Sequence, residues 1–334
     1  MESILIAGNS GGTNVGQGFF NAAEKLGLSP LFFDYELAYK APYWLKQFNW
    51  RIRGKYPSKL KQFGEELVQT GCRIRPRWLL TTGIAPVSDG VLQQIGAMGI
   101  QRFNFLTDDP WNPAHSASWF FKALMHYDTV FSPRQSIVDD LVNLGCRRVE
   151  YLPFAYDPDL FYPERSSSGK LQQGIADVVF VGGADSDRIP YLQALIHAGM
   201  KVDLYGAYWD RYPETKGYAY GQADMQTQRA VIGCAKIALC LVRRANRDGH
   251  CMRTFEVPAV GACMLTENTP EHREILGADG ESVVYFSTIE EMVEKACWLL
   301  EHDTERQRLA VSVHQRITQG TNTYCDRLKT MLSL

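Results

Sequence analysis

The chain states one pattern twice. Ser3-Ile-Leu-Ile-Ala reads as a buried strand and runs into Gly8-Asn-Ser-Gly-Gly-Thr-Asn, after which Phe19, Phe20, Ala23 and Leu26 recur at helical spacing. Asp177-Val-Val-Phe-Val-Gly-Gly then starts the same sequence of strand, glycine turn and helix, the helix opening near Arg188. Short continuous apolar runs, rather than strict alternation, mark strands buried on both faces, as in parallel sheets. Leu31–Asp34, Trp78–Thr82, Ile100–Leu106, Tyr127–Ser132 and Val149–Pro153 read as further strands with helices between most of them. Repeated strand–helix alternation implies a doubly wound parallel sheet. The expected fold is therefore α/β with two Rossmann-like domains. The expected divisions are 1–160, a linker at 161–176 rich in Ser, Gly and Pro, 177–318, and a final helical segment at 319–334.

Composition narrows the functional classes. A length of 334 residues suits two domains, and 45% hydrophobic with 22% charged residues is ordinary for a globular protein. A net charge of −2 gives no general attraction to nucleic acid. Met1-Glu2-Ser3-Ile4 lacks the basic start and apolar core of a signal peptide, and no apolar run reaches spanning length. Eight cysteines show no metal-ligand spacing. The expectation is a reduced, cytoplasmic protein with no bound cofactor and no metal, of unknown oligomeric state.

Ligands in open α/β sheets bind beyond the carboxyl ends of the strands, and several such ends carry chemistry here. Asp248 to Glu274 reads as a turn, a helix closed by Gly261, a strand at 262–265, a polar loop, and a second helix opened by Pro270. Glu256 lies inside the first helix among apolar neighbours. It is either paired with Arg253 at i, i+3 on a surface or kept to accept hydrogen bonds from a ribose diol. Arg243, Arg244 and Arg247 follow a strand and form an anion trap or a solvated turn. Arg188 opens a helix beside Gly182-Gly183 and is placed to meet a diphosphate. Tyr208 and Trp209 follow Gly206 and would flank a nucleobase.

In the first half, Gly11 and Gly12 would let backbone approach a ligand, or simply make a βα turn. Asp108 and Asp109, closed by Pro110, end a strand where a site would sit, or make a capped polar turn. His115 is close enough to supply an imidazole. Asp185-Ser-Asp187 could hold a metal, but a solvent-exposed turn is the preferred reading. Residues 35–62 interleave Tyr39, Tyr43, Trp44, Phe48 and Trp50 with Lys40, Lys46, Arg51 and Arg53. Such a segment packs its aromatics and solvates its cations, or offers a nucleic-acid, sugar, glycan or peripheral membrane contact.

Arg253-Thr-Phe-Glu-Val-Pro-Ala-Val-Gly-Ala-Cys-Met-Leu-Thr, Thr269-Pro-Glu and Val283-Val-Tyr-Phe together resemble the C-terminal domain of CgeB-like, spore-maturation-type glycosyltransferases. These are bacterial-type relatives of the retaining family-four, group-one enzymes of GT-B fold. The resemblance implies two domains facing across a cleft, with Tyr324 and Arg327 on a last helix that returns to the first domain. It implies transfer of a sugar, of hexosyltransferase type and with retention, from a UDP-, GDP- or dTDP-sugar to a glycan, protein or small-molecule acceptor. Asp248 and Glu256 match the relatives' pair of acids eight residues apart, with Asp in place of the first Glu. Asp108 would stand where relatives carry a His. Glu271 would contact the donor sugar, Arg253 the departing diphosphate, and Thr269 with Pro270 would bring backbone N–H groups to it. Gly183 would lie under the donor. Gly11, Gly12, Asp109 and His115 would form the acceptor side. A catalytically silent nucleotide- or sugar-binding protein of the same fold is the alternative, and a nucleotide-sugar isomerase a third reading.

Overall fold

A computed structural model of the chain describes residues 2–164 and 175–334. Most of the stretch expected as a linker, including Ser166–Gly169, lies outside the described residues. The chain forms two compact units. The first comprises Met1–Pro153, Ala245–Arg247 and Tyr324–Leu334, and the second Phe154–Arg244 and Asp248–Thr323.

The first unit holds six parallel strands: β1 (Ser3–Gly8), β2 (Ser29–Asp34), β3 (Trp78–Thr82), β4 (Gln101–Phe105), β5 (Thr129–Ser132) and β6 (Val149–Tyr151). Their order is β2-β1-β3-β4-β5-β6. The second holds five: β7 (Val178–Val181), β8 (Val202–Tyr205), β9 (Ile237–Cys240), β10 (Met264–Glu267) and β11 (Val284–Phe286), in the order β11-β10-β9-β7-β8. All pairings within both sheets are parallel. Helices on both faces explain why β3, β5, β7 and β9 are buried at every residue. Each sheet reverses its winding once, at β1/β3 and at β7/β9, and those are the points where such sheets bind ligands.

The strand expected at 262–265 is displaced: β10 runs Met264–Glu267. Thr266 and Glu267 join the strand because their polar side chains are satisfied at the sheet edge. Thr266 Oγ1 donates to Cys240 O at 3.2 Å, and Glu267 Oε2 accepts from Val242 N at 2.6 Å.

In the first unit the helix Val15–Lys25 lies directly on β1. Phe19 packs edge-on against Phe105 and Tyr324, which brings in the last helix, Tyr324–Leu332. The helix can approach that closely because Gly8 and Gly16 meet without side chains. A Cβ on Gly16 would lie 2.8 Å from Gly8 Cα and 3.1 Å from Asn9 O, both backbone atoms. Gly16→Ala is therefore expected to cost about 1–3 kcal/mol through overpacking. Gly90→Ala, on the helix Asp89–Ala97 with open space around it, should be neutral or slightly stabilising. Urea unfolding of the two variants checks the contrast, and equal midpoints would contradict the close crossing.

Candidate functional site

The reversal at β7/β9 leaves strand-end carbonyls, and side chains take them up. Arg253 Nε donates to Val181 O at 3.0 Å, and Trp209 Nε1 to Gly182 O at 2.7 Å. Arg188 donates to Gly183 O through Nη1 at 3.0 Å and to Leu241 O through Nη2 at 3.3 Å. Arg188 is buried, stacked over Phe180, with Asp185 Oδ2 at 3.5 Å from its Nε. Asp185 also accepts from the backbone N–H groups of Asp187 and Arg188, which makes the Asp185–Asp187 stretch a turn that orients the arginine. Trp209, expected beside a nucleobase, is fully buried, because its indole N–H is needed inside. Tyr208 is half exposed in the left-handed region at φ 75°, with Arg211 4.1 Å above its ring.

Glu256 is buried and gives Oε2 to Arg253 Nη1 on the preceding turn. The pairing with Arg253, one of the two readings the sequence left open, is present but faces inward, and Arg253 is spread over Glu256, Val181 O and Gln228. Glu271 is also buried. His250 Nε2 accepts from Phe154 N at 3.2 Å, so the ring proton sits on Nδ1, which donates to Glu271 Oε2 at 2.5 Å. Gly249 makes room for this carboxylate, since a Cβ there would meet Glu271 Cδ at 2.4 Å. Glu271, expected against a sugar, is therefore committed to a histidine that the sequence reading passed over. An isolated His in a turn gives no local sign of a partner 21 residues away.

Thr269 caps the helix Pro270–Leu276 by accepting from His272 N at 2.9 Å, and it donates to Gly249 O. Asp248 lies in the same turn, its N–H on Arg243 O. Below it, Cys240 and Cys251 place their sulfurs 3.6 Å apart. The hydrogen bond from Cys240 lowers the Cys251 thiol, and Cys240 itself is raised. Arg243 and Arg244 remain partly exposed. Arg243 lies 3.9 Å from Asp185, while Arg244 reaches Glu267 and the Tyr191 hydroxyl. Burial pushes Glu267 up, opposed by the Val242 N–H and Arg244.

The first unit gathers a separate group. Tyr35, Trp50, Lys55, Asp108, His115 and Trp119 line a cavity of about 310 Å³. His115 Nε2 lies 3.8 Å from Asp108 Oδ1. Burial, then Asp108, raises the Tyr35 hydroxyl well above its ordinary value, so it stays a donor. Asp109 does not join this group. It is buried, accepts from Trp111 N and takes a two-toothed bond from Arg247 at 2.6 and 3.2 Å. Gly11 and Gly12 have φ of 74° and 55° with open space beside them, in the turn after β1. Among the described residues no group of three or more His, Cys, Asp and Glu is arranged to hold a metal.

The fold is that of GT-B glycosyltransferases: α/β, with two parallel-sheet Rossmann-like domains. Residues 188–333 match a family described as glycosyl transferase-like. Similar solved structures include sucrose-phosphate synthase from Thermosynechococcus elongatus, at 12% identity and TM-score 0.73, covering 100% of this chain and 98% of that one. Another is a UDP-forming α,α-trehalose-phosphate synthase from Burkholderia xenovorans, at 13% identity and TM-score 0.66, with 100% and 98% covered. A third is Anabaena HepE in complex with UDP, at 11% identity and TM-score 0.62, with both chains fully covered. No curated protein matches the chain.

His272 supplies a pH test of the network under this site. It is fully buried, with Nδ1 donating to Glu267 O at 2.8 Å and Nε2 accepting from Thr254 Oγ1 at 3.0 Å. Burial lowers it from 6.5 to about 4. Between those values the unfolded chain takes up a proton that the folded chain does not. Stability is thus full above pH 6.5 and falls as pH drops toward 4, by about 3 kcal/mol from this group. Urea unfolding across that range should show the slope, and His272→Gln should flatten it. An unchanged slope would mean that the ring is already charged in the fold.

Proposed function

We propose that the protein transfers a sugar from a nucleotide-sugar donor to an acceptor hydroxyl, with retention, as a hexosyltransferase of the CgeB-like kind. The observation that carries this is the match of residues 188–333 to a glycosyl transferase-like family, together with the polar groups at the β7/β9 strand ends of that stretch. Arg243 and Arg244 are proposed to hold the diphosphate, because they keep exposed guanidinium groups while Arg188 and Arg253 are spent on strand-end carbonyls. The diphosphate gains charge as it leaves, and fixed cations lower that barrier. Arg253 takes Glu256 Oε2, and Oε1 is the oxygen proposed for the ribose diol. Tyr208 would stack on the base. Asp248, Gly183 and the turn at Thr269–Pro270 would line the donor with backbone and polar groups. Arg253 and Glu271 act as positioning residues in this reading. In the first unit, Asp108 is proposed as the catalytic carboxylate, with His115 beside it, in a cavity that takes the acceptor near Gly11 and Gly12. UDP-, GDP- and dTDP-sugars are the donor candidates, and no metal is required.

The closed Arg253–Glu256 and His250–Glu271 pairs favour one second reading, a binding protein of this fold without turnover. Thermal melting with UDP-, GDP- and dTDP-glucose separates the cases. One donor should raise the melting temperature, and Arg243→Ala and Arg244→Ala should each weaken it about tenfold or more, as loss of a charge-assisted bond would. Glu256→Gln should weaken donor binding with the fold kept. Asp108→Asn should leave the donor shift and remove turnover. A shift without transfer or hydrolysis across an acceptor panel would favour the silent protein. No response to any nucleotide would end both readings.

A further inference from the structure

The helix Tyr43–Arg51 is amphipathic the wrong way round for a globular surface. Its one buried residue is polar: Asn49, whose Nδ2 donates to Ser58 Oγ at 2.9 Å. To one side of Asn49, about a quarter-turn round the helix, Trp44, Phe48 and the helix-ending Ile52 follow one another at four-residue spacing and so make one stripe, exposed by 69%, 45% and 71%. Tyr43 and Trp50 lie on the other side of Asn49 and are exposed too, so exposed aromatics stand on both sides of the one buried residue. A soluble helix ordinarily turns such a stripe inward, and a contiguous apolar patch left outside marks a contact surface.

Charge identifies the partner. Residues 35–62 hold seven Lys and Arg against a single acid, Glu36, a net of +6 in a chain whose total is −2. Lys40, Lys46, Arg51 and Arg53 are all exposed around the aromatic stripe. A second copy of this chain would set these like charges against each other. Uncharged hydrocarbon would leave them unused. An anionic bilayer surface suits both features: Trp and Tyr settle at the headgroup level, and each Lys or Arg near the anionic surface adds about fivefold to binding. At nine residues the helix is too short to span, and among the described residues no helix is long and apolar enough to cross a membrane.

We propose that the Tyr43–Ile52 face docks the protein peripherally on an anionic lipid surface, with Trp44, Phe48 and Ile52 entering the interface and the surrounding cations pairing with lipid phosphates. This stands apart from the proposed transfer reaction, because Trp44, Phe48, Ile52, Lys40, Lys46, Arg51 and Arg53 are not used there. The test is co-sedimentation of the full chain with vesicles of phosphatidylcholine alone and of phosphatidylcholine with phosphatidylglycerol. Binding is expected to the anionic vesicles only, and to weaken at least tenfold between low and high salt. Trp44→Ser with Phe48→Ser should weaken it by tenfold or more, and so should Lys46→Glu with Arg51→Glu. All four positions are exposed, so the melting temperature and the nucleotide response should be unchanged, which separates this result from the fate of the donor reading. Absence of binding to anionic vesicles, equal binding by the variants, retention on immobilised oligosaccharides through Trp44 and Phe48 instead, or a concentration-dependent dimer abolished by the same substitutions would each overturn the proposal.

Discussion

Strand-end carbonyls at the β7/β9 reversal are the constraint on which the second unit's chemistry depends. Helices leave for opposite faces there, and buried carbonyl oxygens need donors. The chain supplies them from side chains: Arg253 to Val181, Trp209 to Gly182, and Arg188 to both Gly183 and Leu241. A guanidinium is suited to this because its donors are fixed in a planar fork and reach two acceptors at once. The consequence is a division of labour. Arg188 and Arg253 are fixed on these carbonyls. Arg243 and Arg244 bond to side chains at the rim instead.

The carboxylates follow the same logic. The buried Glu256 and Glu271 sit next to Arg253 and His250, and the part-buried Glu267 next to the Val242 N–H and Arg244. Removing one member of such a pair typically costs about 3–5 kcal/mol, since the other is left uncompensated. The His250–Glu271 pair and the Thr269 bond to Gly249 O tie the turn at Gly249 to the helix Pro270–Leu276. Preorganised groups of this kind need little rearrangement as charge develops. Stability and proposed activity therefore draw on the same residues, which is why conservative substitutions separate the two better than truncations to alanine.

Much of the architecture was legible in the sequence because the relevant signals are local. Apolar runs gave the parallel strands, and Gly261 with Pro270 marked helix ends that the structure places at Gly261 and Pro270. The i, i+3 spacing of Arg253 and Glu256 allowed their contact as one of two readings, though burial of the pair depended on what packs over it. Long-range partners left no local trace. Nothing around Trp209 announces that its indole is claimed by Gly182 O, and Thr266-Glu267 reads as loop until β9 is placed beside it.

The three arginines read as one anion trap show how far sequence proximity can mislead. Arg243 leans toward Asp185, and Arg244 reaches Tyr191 and Glu267, both within the second unit. Arg247 belongs with the first unit, where Asp109 and Asp140 share it and where Asn246 bonds Asn112 and Asp108. Hydrogen bonds donated to Asp109 and then Asp140 raise Arg247 further above its ordinary value, against the effect of burial. It sits at φ 51°, a strained conformation for arginine that only a well-determined set of contacts would hold. Five residues of chain thus serve two purposes. The first two cations stay at a strand end as candidates for a phosphate, and the third satisfies an acid that would otherwise be buried alone. Asp109 is thus buried against Arg247, and the neighbouring Asp108 is the carboxylate that faces the cavity.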